Sequence, residues 1–358
     1  MSAGFRAVQW NRHKQIYDLL LVGGILLYLT GFSLLAPALL PAGSQVTPEI
    51  IRTRALGSCG LLMLILILAI GPLARLDRRF LPLLYNRRHF GVATCLIGLG
   101  HAWSAIDWYH GHGKLPPLVS LLVSNPNYGS FLGFPFELLG LAALIILVVM
   151  AVTSHDFWLS FLTPPVWKAI HMAVYAAFGL LVLHVALGVM QAERSPIVPI
   201  LLGGAIVLLG GLHLAAGGRE RRVDATAAAA DAEGWLTVGT VEDLLTSLPD
   251  GRARIVVPPA GERIAVFRNG RTLSAIVNVC AHQNGPLGEG RIIDGYVTCP
   301  WHGFQFRPED GCAPAPFTDK IATYRLKRRA GTVLVDPRPL PPGTRVEPLQ
   351  LGGADGTS

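Results

Sequence analysis

The chain has 358 residues, of which 51% are hydrophobic and 15% charged, with a mean hydropathy of +0.45; soluble domains carry about 25% charged residues, so a wholly soluble protein is excluded. The formal net charge is +7, but the Lys and Arg residues stand beside the apolar runs rather than on a basic face of their own, which sets a nucleic-acid partner aside. The five cysteines, Cys59, Cys95, Cys280, Cys299 and Cys312, lack the even number and short spacing of a secreted disulfide framework.

A bilayer core is about 30 Å thick and takes roughly 20 apolar residues to cross as a helix. Six runs meet that length: Leu19 to Leu40, Ala55 to Leu76, Phe90 to Tyr109, Phe131 to Val152, Val166 to Met190 and Ile197 to Ala216. The first follows MSAGFRAVQWNRHK, exceeds a signal peptide's apolar core and lacks a small-residue cleavage site, so it reads as a retained helix. Pro165 and Pro196 stand just before two runs, where the first helical turn has no use for the missing N–H. Cys59 and Cys95 fall inside runs, as small hydrophobes do. Basic residues flanking the runs number twelve on the side of the amino terminus and four on the other. That excess places both termini, and everything after the sixth run, on the cytoplasmic side, as in a bacterial inner membrane.

An ionisable side chain inside a bilayer is a functional candidate by default. His101 in the third run, His171 and His184 in the fifth and His213 in the sixth are such residues. His171 and His184 are 13 residues apart, which on a straight helix is about 20 Å of depth, one toward each leaflet. That spacing suits two stacked metal centres. A b-type haem takes an axial imidazole on each face, supplied from facing helices. His101 lies at a depth comparable with His184, and these two form the best pair. His171 is a candidate for an inner centre, with His89 or His213 as partner; both also read as interfacial histidines that snorkel or cap a helix. The competing reading of His101 and His184 is a helix-to-helix hydrogen bond. His110 and His112, in the loop WYHGHGK, face water and could bind an adventitious metal.

The segments GPLARLDRRFLPLLYNRRHFGVATCLIGLGH and WKAIHMAVYAAFGLLVLH resemble the ferric-reductase-like transmembrane domain, most closely the haem-binding membrane subunits of periplasmic methionine sulfoxide reductase systems. The resemblance covers roughly residues 50 to 190. It implies that His101, His171 and His184 are haem-binding positions and that electrons cross the membrane to an outer partner. His89 stands where that family is expected to have an apolar residue, so the resemblance lends it no ligand role.

Residues 217–232, GGRERRVDATAAAADA, form an Ala-rich tether with no apolar face, helical or loose. From Gly234 onward short alternating runs (WLTVG, RIVV, RIAVFRNG, LSAIVNVCAH, YVTCPWHGFQF, IATYRLKRRAGTVLV) are punctuated by Asn269-Gly270, Asp294-Gly295 and Asp310-Gly311. Period-2 alternation with regular turn residues predicts a small antiparallel sandwich. Beyond Pro337 the Pro- and Gly-rich chain reads as a disordered tail.

Cys280-Ala281-His282 and Cys299-Pro300-Trp301-His302 each offer one thiolate and one imidazole, with 16 residues between the halves. Two thiolates for one iron and two imidazoles for the other is Rieske [2Fe–2S] ligation. Residues 233 to about 336 resemble the Rieske family in both ligand halves, in Gly288, in the CPWHG run and in the closing Gly-Thr-Val strand. Zinc is the alternative for two Cys and two His, but zinc fingers usually pair Cys-x-x-Cys with His-x-x-x-His and lack the PWHG context. Cys312 reads as a small side chain in a turn. The loops CAHQNGPL and CPWHGFQF lack the extra cysteines and the serine of high-potential Rieske proteins. Fewer donors to the cluster sulfurs put the potential toward the low end, near about −150 mV, as in a ferredoxin-type carrier. The soluble part is too small to house the mononuclear iron of a Rieske oxygenase. No G-x-G-x-x-G follows a strand, so a nicotinamide or flavin donor belongs to another chain.

The expected architecture is an all-α six-helix transmembrane bundle over 1–216, a linker over 217–232, a small all-β Rieske sandwich over 233–337 and a disordered tail over 338–358. The expected activity is membrane electron transfer from a cytoplasmic donor, a reductase or ferredoxin, through the cluster and one or two b-type haems to an outer-face acceptor, protein or small molecule. Two alternatives stand beside it: a reductase of ferric chelates or another small acceptor at the outer haem, and a membrane-anchored redox sensor without haem.

Overall fold

The computed structural model describes residues 12–39, 46–84, 86–155, 158, 161–162, 164–189, 196–225, 228–282, 284–301, 303–315 and 317–352. Contacts divide the chain into two units, Trp10–Arg75 with Asn86–Ala215, and a second made mainly of Ala216–Ser358 with Leu76–Tyr85.

Among the described residues nine helices precede the first strand: α1 Arg12–Leu39, α2 Pro48–Leu76, α3 Leu81–Leu84, α4 Arg87–His110, α5 Pro117–Val123, α6 Phe136–Val152, α7 Pro164–Met172, α8 Val174–Leu187 and α9 Ile197–Asp224. Among the described residues four stretches are long and apolar enough to cross a bilayer, namely Lys14–Ala38, Pro48–Leu76, Val166–Leu187 and Ile197–Asp224. The other two of the six expected crossings fall short for separate reasons. α6 has 17 residues, about 25 Å at 1.5 Å per residue, because Pro135 is its N-cap and the run from Phe131 to Phe134 precedes the helix. α4 has 24 residues, but His101, Ser104, Asp107 and its glycines lower its hydropathy.

The fifth apolar run is two helices rather than one. The Ala173 N–H bonds to the Ile170 carbonyl, three residues back, so the ladder tightens to a 3₁₀ step between His171 and His184. α6 packs most extensively on α8, and α4 on α6. A core of Leu64, Leu68 and Ala69 from α2 with Leu209 from α9 is flanked by Leu147, Val174 and Phe178. Many other leucines point outward: Leu27 is 76% exposed and Leu214 79%, an apolar surface too wide for water and suited to lipid.

The second unit carries β1 Leu236–Thr240, α10 Val241–Thr246, β2 Ala253–Val256, β3 Ile264–Asn269, β4 Thr272–Val277, β5 Arg291–Ile293, β6 Tyr296–Thr298, β7 Gln305–Phe306, β8 Thr323–Tyr324, β9 Leu326–Arg329, β10 Thr332–Val335 and β11 Leu349–Gln350. They pair as three sheets rather than the two of a simple sandwich: β1-β10-β9, then β11-β4-β3-β2 with β8 on β4, and a small sheet β5-β6-β7. The first two enclose a core of Leu244, Ile264, Val266, Leu273 and Val333. The third rests on a separate core with Phe267, Leu287, Val297 and Phe306. β5 and β6 join through Asp294-Gly295, both at positive φ, 51° and 82°, the two-residue turn whose twist matches a hairpin.

The tail expectation needs correction. Through Gly352 the chain is built into the domain: β11 pairs antiparallel with β4, the Val346 N–H bonds to the Glu309 carbonyl at 2.7 Å, and Leu351 is buried. A Pro- and Gly-rich composition concealed two leucines that fill a gap in the first core. Residues 353–358 lie outside the described residues. The tether is half helix, since α9 runs on to Asp224, where Glu220 and Asp224 pair with Arg263 at 2.7 Å each.

Candidate functional site

Cys280 and Cys299 stand at the base of two loops built alike. In each, the cysteine N–H bonds to a carbonyl five residues on, Gly285 at 2.9 Å and Phe304 at 2.8 Å. Its carbonyl accepts from an N–H four residues on, Asn284 at 2.8 Å and Gly303 at 2.9 Å. Both of those residues are left-handed, with φ of 57° and 70°, which Asn and Gly tolerate best. The loops therefore share the same two closing hydrogen bonds and a left-handed residue four places after the cysteine, although the imidazole follows its cysteine by two residues in one and by three in the other.

Both thiols are buried, at 1% and 2% exposure, against Leu287, Val297, Phe304 and Phe306. A Cβ on Gly285 would lie 2.7 Å from Cys299 Sγ and 3.2 Å from the Trp301 ring, so the backbone of the first loop closes over the cysteine of the second. Gly288 donates to Asn278 Oδ1 at 2.6 Å, holding the exit of the first loop to β4's end. The His282 ring lies flat on Phe304, centroids 5.0 Å apart and planes 5° from parallel, and Phe304 meets Phe317 at 4.9 Å. His302 lies outside the described residues. Among the described residues no three Cys, His, Asp or Glu side chains gather around one point; a two-iron cluster calls instead for two separate pairs. Soft sulfur from twin buried loops, with an imidazole held flat beside them, is a donor set that fits iron–sulfur chemistry.

In the helical unit, His101 on α4 and His184 on α8 face each other with ring centroids 6.2 Å apart and planes at 85°. His101 Nδ1 is 3.0 Å from the Thr53 carbonyl, and His184 Nδ1 is 2.8 Å from the Phe136 carbonyl. A carbonyl only accepts, so each Nδ1 carries the proton and each Nε2 keeps its lone pair. A metal–imidazole bond of about 2.0–2.1 Å, plus roughly 1.1 Å from nitrogen to ring centre, puts two axial rings on one ion about 6.3 Å apart. The observed spacing fits one haem iron between them.

His171 has no such counterpart among the described ring contacts. Its Nδ1 donates to the Trp167 carbonyl at 3.0 Å, its ring stacks on Trp167 at 3.8 Å, and Ser154 Oγ is 3.3 Å from Nε2. Neither partner weighed for it makes a described ring contact with it. His213 donates to the Leu209 carbonyl at 2.8 Å and accepts from the Tyr175 hydroxyl at 2.9 Å. His89 is paired with Asp18 at 2.8 Å and lies 3.0 Å from Asn86 Nδ2. In the outer loop, His110 Nδ1 is bonded to Ser120 Oγ at 2.9 Å, and His112 meets the Trp108 ring edge-on at 6.5 Å.

Sequence reasoning missed Phe304, Gly285 and the Thr53 and Phe136 carbonyls. A backbone carbonyl is the same in every residue, so no sequence signal marks the two that hold the histidines.

Residues 55–182 match the ferric reductase like transmembrane component family, and residues 234–325 match the Rieske [2Fe-2S] domain. The protein-methionine-sulfoxide reductase heme-binding subunit MsrQ of Bordetella pertussis is 32% identical over 209 residues, 58% of this chain and 92% of that one. The ferredoxin subunit of anthranilate 1,2-dioxygenase from Burkholderia cepacia is 32% identical over 104 residues, 28% of this chain and 91% of that subunit. A solved ferredoxin of Sphingomonas yanoikuyae B1 is 28% identical, with 29% of this chain and 99% of that one covered and a TM-score of 0.26. In further matches the chain spans only between 9% and 31% of the relative's own length. The chain belongs to the ferric-reductase-like family of haem-binding membrane subunits and carries a Rieske [2Fe–2S] domain on its carboxyl side, which makes it a membrane electron-transfer protein.

Proposed function

We propose that this protein passes single electrons from a cytoplasmic donor, a reductase or ferredoxin, to an acceptor on the outer face of a bacterial inner membrane. When bound, the [2Fe–2S] cluster and b-type haem supply the one-electron chemistry, and a hydrocarbon core about 30 Å thick calls for stops between its faces. Cys280 and Cys299 would hold one iron of the cluster and His282 and His302 the other. His101 and His184 would hold a haem toward the outer face, and His171 would serve a second toward the inner face. In this reading α4 and α6 cross the membrane together with the four longer apolar stretches, and both termini are cytoplasmic.

The observation that carries the proposal is the facing pair His101 and His184, 6.2 Å between ring centres, each with Nδ1 tied to a carbonyl. A helix-to-helix hydrogen bond between the two rings would need one Nδ1 or Nε2 proton aimed at the other ring; instead both Nδ1 protons point away to backbone. The carbonyls fix the tautomer, and both rings are half-buried. In the soluble part, Phe304 orients His282 and the first loop covers Cys299.

The test is spectroscopic. Purified full-length protein is expected to show b-type haem absorbance and a Rieske EPR signal. His101→Ala and His184→Ala should each abolish the outer-haem absorbance and leave the Rieske signal, whereas unchanged haem spectra in both variants overturn the assignment. The family description favours one further reading, a reductase acting directly at the outer site. Turnover of a soluble ferric chelate by the isolated chain would support it.

A further inference from the structure

We infer that Gly57 and Gly140 are positioning residues for His101 and His184, each forming a seat on a neighbouring helix that no other residue can provide. The inference rests on the paired-histidine reading above.

The same arrangement occurs on two different helix pairs. On α2, the Thr53 carbonyl accepts from His101 Nδ1, and Gly57 stands four residues on. On α6, the Phe136 carbonyl accepts from His184 Nδ1, and Gly140 stands four residues on. In a helix the carbonyl of residue i already accepts the N–H of residue i+4, so each imidazole takes the second lone pair of a carbonyl that its glycine shares. To reach that lone pair the ring must lie on the helix surface, where the side chain at i+4 would stand on the same face.

A Cβ on Gly57 would lie 2.8 Å from His101 Cε1 and 2.9 Å from Nδ1; one on Gly140 would lie 2.8 Å from His184 Nδ1 and 2.9 Å from Cε1. At each glycine the three nearest atoms all belong to the one imidazole. Residue i differs, Thr in one case and Phe in the other, because only its backbone is used. Gly60, one turn from Gly57, is a natural control: its Cβ would meet Ile97 at 3.5 Å, an ordinary contact. A methyl at either seat pushes the ring off its carbonyl and turns Nε2 away from the facing imidazole. Alanine is a better helix former than glycine, so haem lost through these substitutions is not lost through weakened helices.

The experiment uses full-length protein in detergent, with haem titrated against the Rieske signal as an internal measure of folded chain. Gly57→Ala and Gly140→Ala should each weaken haem binding roughly 10–100-fold, the cost of removing an orienting partner from a metal-bound histidine, and should move remaining haem from low to high spin. Gly60→Ala should match wild type. Adding His101→Ala to Gly57→Ala should cost no more haem than His101→Ala alone, because the glycine acts only through that ring. Wild-type haem affinity and spin state in both seat variants would overturn the seat while leaving the histidine pair in place. A wild-type chain that binds no haem at all would overturn the pair, and the seat with it.

Discussion

Phe304 decides how His282 is held. The ring is 3% exposed and lies parallel to the imidazole, with Phe306 and Phe317 behind it at 5.2 and 4.9 Å. In the sequence this position reads only as the loss of a hydroxyl near the cluster; in the structure it is the platform for the His282 ring. Phe304→Ala should destabilise the domain by about 3–5 kcal/mol through the cavity it leaves. The Rieske visible signal should then bleach at a lower temperature than in wild type. Phe304→Tyr, which keeps the ring, should recover most of the difference, and equal bleaching temperatures for all three would show that the stack carries no weight.

At the scale of elements, the carboxyl-terminal segment behaves as part of the domain. Leu349 and Leu351 are 6% and 2% exposed, and burying a leucine is worth about 1.5–3 kcal/mol. Removal of residues from 338 onward should therefore lower the melting temperature of the soluble part, where a disordered tail would leave it unchanged. Arg338 ties the start of this segment to Asp336 through two hydrogen bonds at 2.8 and 3.0 Å. Burial alone would raise the Asp336 carboxyl, but the Arg338 bonds outweigh it and hold the carboxyl below its usual range. A depressed carboxylate stabilises the fold above its unfolded pKa, about 3.9, and that contribution is lost as the pH falls through the folded value. Arg338→Ala should lower stability modestly at pH 7, with the gap to wild type closing below about pH 4 when denaturant unfolding is followed by intrinsic fluorescence. A gap independent of pH would mean that the arginine acts through packing alone.

For the whole molecule, the basic residues predict which side of the membrane each terminus occupies. A reporter placed at Ser358 should be labelled only from the cytoplasmic side, and labelling from outside would reverse the proposed direction of electron flow. Much of the layout was legible from composition alone. Lipid tolerates only long apolar helices, so the apolar runs announce themselves, and a thiolate–imidazole pair repeated within a short stretch has few chemical uses. The same pattern overstated the helices: Pro135 shortened α6 and a 3₁₀ step at Ala173 divided the fifth run, because hydropathy counts residues and is blind to where the backbone turns. It named His101 and His184 as the best pair without the packing that joins them, and left the partner of His171 open. His101 and His184 are 83 positions apart, and their approach depends on how α4 packs on α6 and α6 on α8. The amino-acid order by itself determined the chemistry available, the residue types that bind metal and the stretches that enter lipid, since these are properties of side chains one at a time. Only the tertiary structure decided how closely His101 and His184 approach, that His171, His213 and His89 take other partners, and that two carbonyls beside two glycines orient the pair. Those are relations between helices, set by packing and backbone bonds that every sequence shares.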